Sequence, residues 1–222
     1  MSISYVSNIV KHFRAAQNKE RATAQAAYMR DQFTFIGITS PERKQMLQAF
    51  RKEHGLPGIE ELHHVVKALW ELPERDFQYI AMEILDRYRK HYRVNDLALF
   101  EYCITEKSWW DTVDLLATHC VGDYFLRFPQ HKETITQSYM DSGNMWLQRT
   151  AILFQLNYKD KTDEDLLFEY ILALASSKEF FIQKAIGWAL RQYAKLKPNV
   201  VKHFVEHHTL APLSKREALK HF

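Results

Sequence analysis

The side chains with the most chemical potential in this sequence gather around Asp114. Trp110 precedes it by four residues, one helical turn earlier on the same face, and Trp109 stands beside Trp110. A carboxylate can stabilise developing positive charge and can orient or deprotonate a water. Electron-rich indole faces attract cations, by about 0.5–2 kcal/mol per contact. Further along, Lys184, Trp188, Arg191 and Lys195 form a basic–aromatic stripe at i, i+4, i+7, i+11 spacing. Arg149 and the adjacent Lys215 and Arg216 add further cations. A carboxylate, two tryptophans and several basic side chains on one surface suit a polyanion carrying a base or sugar to be attacked.

An Asp on an arbitrary helix is ordinarily a solvated or ion-paired surface residue. An internal repeat sets Asp114 apart. Four segments place an aromatic four or five residues before a small or special residue: Phe77 before Ala81, Trp110 before Asp114, Trp146 before Ala151 and Phe181 before Ala185. Ala218 fits the end of the same pattern. The five anchors lie 33, 37, 34 and 33 residues apart, which is right for two helices per repeat. Asp114 therefore stands where the sister helices carry alanine. A carboxylate there costs desolvation unless it is hydrogen-bonded, paired or reached by solvent.

The elements that must position these residues are helices. Gly and Pro number six each, about 5% of the 222 residues against an ordinary usage near 12%. So few turn residues cannot punctuate a many-stranded sandwich or barrel. Helix starts are predicted at Ser40-Pro41-Glu42, Leu72-Pro73-Glu74-Arg75, Thr162-Asp163-Glu164-Asp165 and Lys197-Pro198-Asn199, with a capping box at Ser214-Lys215-Arg216-Glu217. About a dozen helices are expected, and no linker-like stretch divides them. The expected fold is all-α: an α-solenoid of two-helix repeats, as in HEAT, armadillo or tetratricopeptide arrays, with a concave face, residues 1–222 forming a single domain.

The formal net charge of +3 hides an uneven distribution. Residues 1–54 carry a net +5, residues 55–183 a net −8, and residues 184–222 a net +6. Two basic ends around an acidic middle allow a local positive surface. Two cysteines, Cys103 and Cys120, exclude a disulfide scaffold and point to a reducing, cytoplasmic compartment. The start lacks a secretory pattern and no apolar run is long enough for a membrane span. His203-x3-His207 with His208 has helical metal-ligand spacing, yet no Cys or carboxylate cluster completes a site, so neither metal nor cofactor is expected.

The segments Lys107-Ser-Trp-Trp-Asp-Thr-Val-Asp114, Asn144-Met-Trp-Leu-Gln-Arg149, Ser176-Ser-Lys-Glu-Phe-Phe-Ile-Gln-Lys-Ala-Ile-Gly-Trp188-Ala-Leu-Arg191 and Leu210-Ala-Pro-Leu-Ser-Lys-Arg-Glu-Ala218 closely resemble the bacterial AlkD-type DNA alkylation repair glycosylases. The resemblance runs from about Tyr28 to the end of the chain. It implies a HEAT-like-repeat enzyme that removes N3- and N7-alkylated purines from duplex DNA and holds the DNA backbone on its concave, DNA-binding face without a base pocket; a monomer is expected. It further implies Asp114 as the catalytic carboxylate, Trp110 and Trp188 as aromatic walls, Tyr28 as a third aromatic, and Arg149 as the basic residue beside the carboxylate. The register of Arg149, Lys184, Arg191, Lys215 and Arg216 predicts that several of them line one groove and meet phosphates. The competing reading is a non-catalytic helical scaffold that binds DNA structures or a protein segment. Asp114 in the alanine register speaks against it, because a scaffold needs no enclosed carboxylate there.

Overall fold

A computed structural model describes residues 2–220, which divide between Tyr92 and Arg93 into two compact units. The first holds α1 (Ser2–Arg14), α2 (Lys19–Tyr28), α3 (Ser40–His54), α4 (Leu62–Glu71) and α5 (Arg75–Arg87). The second begins with α6 (Asp96–Thr105) and α7 (Trp110–Leu115). A π-helical segment (Leu116–Val121) then carries α7 without a break into α8 (Gly122–Arg127). There follow α9 (Lys132–Asp141), α10 (Met145–Leu153), α11 (Glu164–Ala173), α12 (Phe180–Ala194), α13 (Pro198–His207) and α14 (Pro212–Ala218). Among the described residues there is no strand, only an isolated bridge between Thr34 and Glu74. The protein is all-α, consistent with an α-solenoid of helical repeats.

The repeat anchors fall as the spacing requires. Ala81, Asp114, Ala151, Ala185 and Ala218 lie on α5, α7, α10, α12 and α14, the second helix of five successive pairs. All four alanines are buried. Small side chains at these places let neighbouring helices approach closely, and the buried aliphatic residues around them form the core. In the second unit α12 is central to that core: it packs on α10, α13 and α14. Ile182, Ala185, Ile186, Ala189 and Leu190 are buried on its inner face, while Phe181, Lys184, Trp188 and Arg191 lie partly exposed on another.

Local chemistry explains several helix starts and corrects two expectations. Asp163 caps α11 by accepting from the Leu166 amide at 3.2 Å, and Pro198 opens α13, as the sequence signals predict. At α3 the capping box is built by Thr39 and Glu42, one residue before Ser40. The Glu42 carboxylate accepts from the Thr39 amide at 2.9 Å, so Thr39 is the cap and Ser40 the first helical residue. The capping box at Ser214 is not formed. Pro212 starts α14 two residues earlier, which leaves Ser214 inside the first turn. Its hydroxyl donates instead to the Gln183 carbonyl on α12 at 3.0 Å, and Glu217 is released from any capping role.

Helices α12 and α14 meet most closely at Gly187. A Cβ added there would lie 2.4 Å from the Glu217 Cβ and 2.9 Å from the Ser214 carbonyl oxygen, well inside van der Waals contact. Glycine thus sets the spacing that brings Glu217 against α12. Gly187→Ala is expected to lower stability by about 1–3 kcal/mol, the usual cost of overpacking a close contact. Urea unfolding measures this, and an unchanged midpoint would mean that α14 is free to shift.

Candidate functional site

Lys107 takes a left-handed conformation, φ 50°, in the short connection between α6 and α7, and the Ser108 hydroxyl closes the end of α6 by donating to the Ile104 carbonyl at 2.6 Å. Trp109 is extended (φ −159°, ψ 160°) and Trp110 opens the helix, so the two adjacent indoles diverge. Trp109 joins a cluster with Trp146 and Phe181, at ring-centroid separations of 6.0 and 5.1 Å, and Trp146 and Phe181 lie 5.0 Å apart. Asn144 fixes the start of α10 within this cluster by accepting from the amides of Trp146 and Leu147 at 2.9 and 3.2 Å. Trp110, in contrast, faces a cleft.

That cleft encloses about 270 Å³ and is lined by Trp110, Asp114, Arg149, Phe180, Phe181, Lys184, Trp188, Arg191 and Glu217. Arg149 grips Asp114 through two parallel hydrogen bonds: Nε donates to Oδ1 at 2.7 Å and Nη2 to Oδ2 at 2.8 Å. Its remaining nitrogen, Nη1, donates to the Phe181 carbonyl. The Arg149 side chain is only 5% exposed and that of Asp114 17%. A planar guanidinium used this way fixes both the position and the plane of the carboxylate. Burial pushes the Asp114 carboxyl above the ordinary carboxylate range; the hydrogen bonds and charge of Arg149 oppose the shift, and Asp111 adds to it. Each carboxylate oxygen keeps a lone-pair direction beyond its bond to Arg149, so a water or a cationic centre in the cleft can still be addressed.

The segment after Asp114 contributes as well. Leu116–Val121 is π-helical, and within it the Thr118 hydroxyl donates to the Asp114 carbonyl at 2.7 Å. A π segment changes the helical register of whatever precedes it and is frequent at functional sites. Gly122, at its end, lies where a Cβ would come 2.5 Å from the Phe154 carbonyl oxygen, so the rod is seated tightly against the end of α10, the helix that bears Arg149.

The structure gathers Asp114, Trp110, Trp188, Arg149, Lys184 and Arg191 at one cleft. Their environments differ from the expected row of phosphate-seeking cations. Arg149 is committed to Asp114 and Phe181, while Lys184 and Arg191 converge on Glu217, which the sequence reading assigned to a helix cap. Lys184 Nζ lies 3.0 Å from Glu217 Oε1, and Arg191 Nη1 lies 2.7 Å from Oε2 and donates to the Glu217 carbonyl at 2.9 Å. Lys215 and Arg216 are exposed on α14 and do not line the cleft. Tyr28 belongs to the other unit, at the end of α2, and is 72% exposed. Phe180 and Phe181 were not singled out as site residues. The signal was present: two aromatics five and four residues before the Ala185 anchor, as Trp109 and Trp110 stand before Asp114. Cys103 and Cys120 are buried and form no disulfide. Among the described residues no group of three or more metal-ligating side chains occurs, and no helix is long and apolar enough to cross a membrane.

The family model described as "DNA alkylation repair enzyme" matches residues 9–222. The structure is similar to a solved one described as a predicted DNA alkylation repair enzyme from Enterococcus faecalis. The TM-score is 0.85 and the sequences are 35% identical over 93% of this chain and 96% of that one. No curated protein matches the sequence.

The pairing at Glu217 has a pH signature. Hydrogen bonds from Lys184 first and Arg191 second hold its carboxyl at about 2, below the ordinary 4.5. A depressed carboxylate contributes stability that is fully present above its unfolded value and is lost as pH falls toward the folded one. Glu217→Gln is therefore expected to be less stable than the wild type at neutral pH, with the difference closing between about pH 4.5 and pH 2. Paired urea titrations across that window test it; a constant difference would place the contribution outside the two ion pairs.

Proposed function

The chain belongs to the DNA alkylation repair enzyme family, and we propose that it is a DNA glycosylase. On this reading it hydrolyses the N-glycosidic bond of cationic N3- and N7-alkylated purines in duplex DNA. The observation that carries the proposal is the Asp114 carboxylate, fixed by Arg149, in the same cleft as Trp110 and Trp188. Membership of the family implies DNA as the substrate, and the match over residues 9–222 takes in both units, which supports one functional domain.

The chemistry follows from the lesion. Alkylation at N3 or N7 gives the purine a formal positive charge. When the bond from the sugar C1′ to the base nitrogen breaks, its electron pair goes to the nitrogen and the base leaves neutral. Positive charge then develops on the sugar as an oxocarbenium ion. Asp114, ionised and partly withdrawn from water, stabilises that charge where Coulomb attraction is strongest, as carboxylates do for glycosidases. A water adds its oxygen to C1′, and its proton passes to Asp114 or to solvent. Trp110 and Trp188 supply electron-rich faces toward the cationic nucleotide. Arg149 acts as a positioning residue: it keeps Asp114 charged and aimed.

The direct test is base release from duplexes carrying N3- or N7-methylpurine, uracil or no lesion. Release is expected from the methylpurine duplexes only, because a neutral base such as uracil leaves as an anion and an ionised Asp114 offers it no proton. Efficient uracil release, or none from methylpurines, would contradict the proposal; the latter would favour the non-catalytic scaffold. Asp114→Asn should slow excision by about 10²-fold or more. Because burial raises the Asp114 pKa above 3.8, activity should be present above that raised value and fall away below it. An acid limb no higher than an ordinary aspartate, near 4, would mean that a different group is titrating.

A further inference from the structure

Glu217 sits in a peculiar place for an acid. Residues 184–222 carry eight basic side chains and two acidic ones, and one of those two is directed into the cleft between Lys184 and Arg191. Its side chain is 14% exposed and each carboxylate oxygen meets a different cation, at 3.0 and 2.7 Å. The backbone is shaped to hold it there. Gly187 allows α14 to come so near that no Cβ would fit, the Ser214 hydroxyl ties α14 to the Gln183 carbonyl, and Arg191 also binds the Glu217 carbonyl. A carboxylate presenting two oxygens to a lysine and an arginine offers those donors the same charge-assisted contacts that a phosphate offers.

We propose that Glu217 is a specificity-determining residue that acts as an internal phosphate mimic, keeping Lys184 and Arg191 from capturing the backbone of undamaged duplex. The inference rests on the reading of this cleft as a DNA site. Phosphate contacts supply nearly all non-specific affinity and carry no information about a lesion. A repair protein must pass over a large excess of undamaged sites, so each unguarded cation in its cleft lengthens unproductive stops. The charged groups lining the cleft are three cations and two anions, leaving one net positive charge, and Glu217 offsets one of the two positive charges nearest α14 while occupying the donors of both. Discrimination is then left to the groups around Asp114.

The experiment is a titration of labelled, undamaged duplex at several salt concentrations with the wild type, Glu217→Gln, Lys184→Gln and the double variant. Each phosphate contact steepens the plot of log K against log salt by about 0.9. Glu217→Gln should therefore bind more tightly at low salt and steepen the slope by about 0.9 for one freed cation or about 1.8 for two. Its affinity loss from 50 to 200 mM salt then grows by roughly 3.5-fold or 12-fold over the wild type, by the same relation. Lys184→Gln should leave the wild-type slope unchanged and lower it by about 0.9 only when Glu217 is already Gln. A merely structural clamp between α12 and α14 would move stability and leave these slopes alone.

A folded Glu217→Gln protein with the wild-type slope overturns the proposal. So does a full unit lost on Lys184→Gln alone, a result that needs no Glu217 variant. Absence of duplex binding by every variant at 50 mM salt overturns it as well. Base release is scored separately: proteins that show these slopes yet release no methylpurine defeat the glycosylase reading and leave the role of Glu217 standing.

Discussion

The bidentate contact between Asp114 and Arg149 is the constraint around which the cleft is organised. A carboxylate in an alanine register loses much of its hydration, and an unpaired charge there would protonate or disrupt the helix packing. Arg149 resolves this with two charge-assisted hydrogen bonds, but it must itself be buried, so its third nitrogen needs an acceptor. The Phe181 carbonyl provides one at the start of α12. The aromatic cluster of Trp109, Trp146 and Phe181 then fixes the three helix starts that bear on the pair: α7, α10 and α12.

The same demand accounts for features that look unrelated. The π segment after Asp114 adjusts the register of α7 against α10, and Gly122 seats the rod against the carbonyl of Phe154. Removing either partner of an enclosed ion pair exposes the other, whereas replacing both with apolar side chains is often harmless or stabilising. A pair kept in spite of this is better explained by its chemistry than by stability. In the second charged group the acid, Glu217, is enclosed, but its cations keep more solvent, Lys184 at 38% and Arg191 at 21% against 5% for Arg149, so the exchange of ion partners costs less there.

Much of this was legible from spacing alone. The anchor series picked out Ala81, Ala151, Ala185 and Ala218, which the structure buries on the second helix of successive pairs, and it marked Asp114 as the exception. Periodicity also placed Lys184, Trp188 and Arg191 on one face of α12, whereas Lys195, the fourth member of that stripe, lies just past the end of the helix and does not line the cleft. What spacing could not supply is the partner of each charge. Arg149 and Arg216 occupy equivalent register positions, yet Arg149 is enclosed by α12 and Arg216 is exposed. Lys184 and Arg191 read as free cations because their acid lies 33 and 26 residues away on another helix. Glu217 read as half of a capping box because Ser-x-x-Glu carries that signal regardless of where the helix starts, and here Pro212 starts it earlier. Local signals fix elements; charge pairing is settled by tertiary geometry.

The central claim is that Arg149 serves catalysis only by holding the Asp114 carboxylate. A double-mutant cycle on single-turnover base release from N3- or N7-methylpurine duplex tests it, using Asp114→Asn, Arg149→Met and the combined variant. If Arg149 acts through Asp114, each single change slows excision and the combined protein is no slower than Asp114→Asn alone. Losses that multiply, with the combined variant slowed by the product of the two single effects, would contradict the claim and give Arg149 an independent contact with the substrate.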